Sequence, residues 1–84
     1  VKHAGAAALA EVTELLAQLR LRPGLVEKKL GVFYRKGAAF LHFHEDPAGM
    51  FVDIRDGAEW QRLHLPDQQS WQTCLTETDR ILRG

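Results

Sequence analysis

The 84-residue chain is 45% hydrophobic, enough apolar material for one core and too little length for two, so it reads as a single domain over residues 1–84 and not as a disordered segment. Eleven Lys and Arg cancel eleven Asp and Glu, which leaves no broad positive field to draw the chain onto nucleic acid. Cys74 is the only cysteine, excluding an internal disulfide and a cysteine-built zinc site. With no signal-type leader and no apolar run of membrane-spanning length, the expected setting is the cytoplasm, without membrane contact.

Residues 6–20 predict an amphipathic helix. Leu9, Val12, Leu16 and Leu19 recur at spacings of three and four, with Leu15 on the shoulder of the stripe. Pro23-Gly24 ends it. From Gly24 to Pro66 the period changes to two. Turn signals at Lys36-Gly37, Asp46-Pro47-Ala48-Gly49 and Asp56-Gly57 divide this stretch into strands at about 31–36, 38–45, 50–55 and 59–65, with a weaker one at 25–29. A second helix follows, capped by Asp67 or Ser70, with Trp71, Cys74, Leu75, Thr78, Ile81 and Leu82 on its inner stripe. The expected fold is α+β: an antiparallel meander of four to five strands, with an N-terminal and a C-terminal helix on one face.

The register follows from the pattern. Pairing Phe43 with Val52 and Leu41 with Ile54 puts four apolar side chains on one face, whereas a slip by one sets Phe43 against Asp53. Carried through the other turns, this register adds Val32, Tyr34, Ala39, Leu63 and Leu65 to the core face. The opposite face then carries Phe33, Arg35, Phe40, His42, His44, Phe51, Asp53, Arg55, Trp60, Arg62 and His64. Phe33 faces Phe40 across one hairpin, and Trp60 faces Asp53 across another. A sheet covered on one side normally alternates apolar in and polar out, so aromatics on the outer face mark a partner or ligand surface.

His42 and His44, two apart on a strand, point the same way, and Asp53 lies across from His42. Two histidines and a carboxylate form a candidate metal-ligand set. As a plain cross-strand pair, His42 and Asp53 imply a histidine whose pKa is raised by the opposite charge. Ser70 is the only serine and has no evident histidine and acid partners, and no phosphate loop or dinucleotide fingerprint is present. No catalytic residue is assigned and no cofactor is expected.

Pro23-Gly24-Leu25-Val26-Glu27, together with the hairpins from Phe33 to Arg55 centred on Phe40-Leu41-His42-Phe43-His44, resembles the small bacterial YjbR-like family. The same region, within residues 20–75, is similar to short bacterial luciferase-domain proteins. The resemblance implies a frataxin-like layout of helix, antiparallel sheet and helix, and the DNA binding proposed for YjbR-like proteins. This chain departs from the family at Ala38-Ala39, where a lysine is usual.

These readings converge on a non-enzymatic interaction module that self-associates, as a homodimer, or binds a partner through its outer sheet face. Phe33, Phe40, Phe51 and Trp60 would supply area, and Arg55, Arg62, His42 and Asp53 orientation. The alternatives are metal or ligand binding by His42, His44 and Asp53, and weak single-strand nucleic-acid binding by Arg35, Arg55 and Arg62 with aromatic stacking.

Overall fold

The structure, a computed structural model, describes residues 2–84. Strand β1 (Lys2–His3) leads into helix α1 (Ala6–Leu9), a 3₁₀ turn (Ala10–Val12) and helix α2 (Thr13–Arg20). Five strands follow, β2 (Leu25–Lys29), β3 (Val32–Arg35), β4 (Ala38–Asp46), β5 (Gly49–Asp56) and β6 (Glu59–His64), and helix α3 (Gln68–Arg83) closes the chain. The sheet runs β2-β3-β4-β5-β6, every neighbouring pair antiparallel, and β1 joins β4 beside it. The fold is therefore the α+β meander expected from the turn signals. β1 was not anticipated.

The N-terminal helix is interrupted rather than continuous. Val12 leaves helical geometry at φ −119°, and the Thr13 hydroxyl donates to the Ala10 carbonyl at 2.8 Å. The apolar stripe survives the interruption: Leu9, Val12, Leu15, Leu16 and Leu19 are all buried. In α3, Asp67 accepts from the Ser70 N–H at 2.9 Å while the Ser70 side chain accepts from the Asp67 N–H, so both suggested caps act together as a capping box. Cys74, Leu75, Thr78 and Ile81 form its buried stripe. Arg22, just past α2, grips Asp79 of α3 through paired hydrogen bonds of 3.0 and 3.1 Å, tying the helices together at one end.

The central register stands as read: Leu41 pairs with Ile54 and Phe43 with Val52, and all four are buried. Each such side chain contributes roughly 1.5–3 kcal/mol by leaving water. The turns obey their chemistry. At Lys36-Gly37 both residues take positive φ, 53° and 80°, as a two-residue I′ turn requires. In the next hairpin Asp56 pairs with Glu59, making Gly57-Ala58 the connection, with only Gly57 at positive φ.

Strand β3 corrects the expectation. Near the turn Arg35 pairs with Ala38 and Tyr34 with Ala39, but Phe33 pairs with Leu41 and Val32 with His42. Phe40 is the extra residue of a β-bulge, and a bulge shifts the alternation of everything beyond it. Phe33 is accordingly 0% exposed in the core, and Phe40 is buried in the same cluster. Val32 and Tyr34, expected inside, share the face of His42. Arg35 moves to the helix side, its guanidinium 5.8 Å from the Phe40 ring and donating to the Leu82 carbonyl. No helix among the described residues is long and apolar enough to cross a membrane.

Candidate metal centre

Four strands build one polar cluster on the sheet face away from the helices. His42 lies opposite Asp53, as expected, and His44 lies opposite Phe51. The β5–β6 ladder brings Arg62 opposite Asp53. This corrects the expected Trp60–Asp53 pair: because Asp56 closes its hairpin, Trp60 falls opposite Arg55 instead. The missed strand β1 adds a third imidazole, with His3 opposite His44. The Ala4 N–H donates to the Phe43 carbonyl at 3.1 Å and holds that strand in place.

The distances define a chain of contacts. Arg62 grips Asp53 with two parallel hydrogen bonds, Nε to Oδ1 at 2.7 Å and Nη2 to Oδ2 at 2.9 Å. Asp53 Oδ2 lies 2.9 Å from His44 Nε2 and 4.0 Å from His42 Nδ1. His42 Nδ1 and His44 Nε2 are 2.7 Å apart. The His3 ring centroid is 5.4 Å from that of His42 and 5.2 Å from that of His44, and Trp60 packs on His42 at 4.8 Å. One ring nitrogen from each of the three histidines lies within 4.8 Å of the others.

Charge follows from this geometry. The Arg62 guanidinium, against the opposing effect of burial, holds the Asp53 carboxyl below its usual range, with His44 adding to the shift. An ionised carboxylate only accepts, so the facing His44 nitrogen, Nε2, carries the proton. His42 Nδ1, beside the same nitrogen, then presents a lone pair. That tautomer leaves His44 Nδ1 as a second lone pair, buried and without a hydrogen-bond partner. The His42 pKa is not raised as expected. Partial burial lowers it, proximity to His44 adds to that, and the attraction of Asp53 does not overcome the two.

Of the residues expected to form an aromatic interface, the outer face keeps Phe51 and Trp60. Phe51 stacks on His64 at 4.7 Å, and Trp60 is 41% exposed beside Arg55. Phe33 and Phe40 belong to the core. The arginines expected to meet nucleic acid are engaged within the chain: Arg35 with Leu82, Arg55 with the Gly57 carbonyl, and Arg62 with Asp53. A cleft of about 450 Å³ between α1 and the β4–β5 turn is lined by Ala8, Glu11, Glu45, Asp46 and Met50, and no histidine lines it.

His3 was the residue missed from sequence. Its one signal was alternation with Lys2, which two residues cannot establish. No family model matches this chain, and no curated protein or solved structure matches it.

Proposed function

We propose that this domain binds a divalent late first-row transition metal ion, of which zinc is the reference case, through His3, His42 and His44. The observation that supports this most directly is the convergence of three imidazole nitrogens from two strands within 4.8 Å. Imidazole suits zinc, copper and nickel, and three histidines with one vertex open is a recurrent arrangement for zinc. Ligand nitrogens at 2.0–2.1 Å around a tetrahedral ion stand about 3.3 Å apart. The 2.7 Å contact of His42 Nδ1 is to His44 Nε2, the nitrogen that Asp53 holds, so binding through His44 Nδ1 requires the imidazole rings to reorient.

Asp53 takes a different part from the ligand role expected of it. Arg62 occupies both its oxygens, and it holds one nitrogen of His44 while leaving the other imidazole lone pair free. That is the carboxylate–histidine arrangement by which proteins orient metal ligands. Trp60 against His42 gives the site an apolar wall, so a partner or ligand meeting this face would contact the ion and an aromatic ring together.

Titration calorimetry and equilibrium dialysis of untagged protein with zinc, nickel and copper test the reading. The expected result is one ion per chain, with His3→Ala, His42→Ala and His44→Ala each weakening uptake. Binding unchanged in all three variants would refute it.

A further inference from the structure

The two edges of the sheet are not alike. β2 is blunted in the usual ways: its pairing with β3 is interrupted by a bulge between Glu27 and Lys29, and Lys28 and Lys29 stand on it. β6 has none of these devices. It pairs with β5 without interruption from Phe51–His64 to Asp56–Glu59, and Glu59–His64 contains no lysine and no proline.

The hydrogen-bond phase of β6 is fixed by its end. Leu65 N–H donates to the Met50 carbonyl at 2.9 Å. Antiparallel ladders alternate hydrogen-bonded and non-hydrogen-bonded pairs, so Leu63, Gln61 and Glu59 also direct their backbone groups toward β5. Trp60, Arg62 and His64 direct theirs outward. Among the described residues nothing accepts or donates to them.

We infer that β6 is an interface for a second copy of this chain, joined edge to edge across a two-fold axis at Gln61. In that register the outward groups of Trp60 meet those of Arg62 from the partner, and the reverse contact repeats by symmetry. Each Trp60 ring then lies opposite a partner arginine on the same sheet face. The ring already accepts this contact within the chain, where Arg55 sits 5.6 Å from its centroid. Arg62 keeps its in-plane bonds to Asp53 and offers the flat face of its guanidinium. Gln61 faces its own copy as a non-hydrogen-bonded pair. Zero net charge opposes none of this at long range. The interface does not depend on metal.

Sedimentation of the metal-free chain between low and high micromolar concentration is the first test, with a doubling of mass expected. Trp60→Pro removes an outward N–H that nothing in the chain uses, and it should hold the protein at single-chain mass with unchanged circular dichroism. Gln61→Cys supplies an independent measurement. Non-hydrogen-bonded partners stand at a separation a disulfide spans, so mild oxidation should yield a covalent dimer, while Glu59→Cys, offset from its own copy, should not. The buried Cys74 takes no part. A wild type that stays monomeric at high micromolar concentration, a dimer that survives in folded Trp60→Pro, or equal cross-linking at Glu59 and Gln61 would overturn the assignment.

Discussion

Asp53 and Arg62 face each other across β5 and β6 and are joined by two parallel hydrogen bonds, which commit both carboxylate oxygens. In the proposed metal site Asp53 is thereby a support for His44 rather than a ligand. Losing such a support typically costs about 10–100-fold in metal affinity. Asp53→Asn should therefore weaken zinc binding by about that factor, while His44→Ala should remove most of it. Calorimetric titration of the two variants distinguishes these roles, since a carboxylate acting as a direct ligand would make the two losses equal.

Phe33 is a core residue, not a surface aromatic. Phe33→Ala should cost about 3–5 kcal/mol, the usual range for deleting a buried ring. In a domain whose whole stability is of order 5–15 kcal/mol, that is a large share of the total. Trp60→Ala should leave the single chain's stability within about 1 kcal/mol of wild type, as for an exposed site. Urea unfolding at low protein concentration checks both.

Glu27 gives a pH dependence. Partial burial alone would raise its carboxyl, but Arg20 and the Gly31 N–H, which donates to it at 2.9 Å, bring it below its ordinary value. A depressed carboxyl contributes stability that is complete above its unfolded pKa and is lost as pH falls through the folded one. Wild type and Glu27→Gln should differ by about 1 kcal/mol at neutral pH and converge in acid. Unfolding curves between neutral and strongly acidic pH report the convergence.

Cys74 is fully buried in α3, and burial pushes its thiol up to about 12. The native protein should not react with thiol reagents at mildly alkaline pH and should react completely once unfolded. A colorimetric thiol assay with and without denaturant reads this directly.

The parts of the fold that were legible in the sequence are those in which several signals agree. Leu41, Phe43, Val52 and Ile54 alternate on both sides of one turn, so a single register satisfies all of them. Asp67 and Ser70 sit where a capped helix must begin. The bulge at Phe40 was not legible, because it changes which residues are inside without changing their apolar character: Phe33 and Val32 are equally plausible core residues until the insertion is seen. The histidine cluster was half legible. His42, His44 and Asp53 follow from strand alternation, whereas His3 arrives through a two-residue strand with no periodicity of its own, and Arg62 depends on whether Asp56 closes its turn or lies inside it.

The meander has a kinetic consequence. Every ladder from β2 to β6 joins strands adjacent in the chain, and contacts between near neighbours require little loop closure. The pairing of β1 with β4 is the exception, bringing Lys2 and His3 to Glu45 and His44 across most of the preceding sequence. Such a contact forms after the hairpins have set, so substitutions in β1 should speed unfolding and leave the folding rate nearly unchanged. The chain would then acquire its third imidazole as one of the last events of folding, and a metal ion would act by slowing its release.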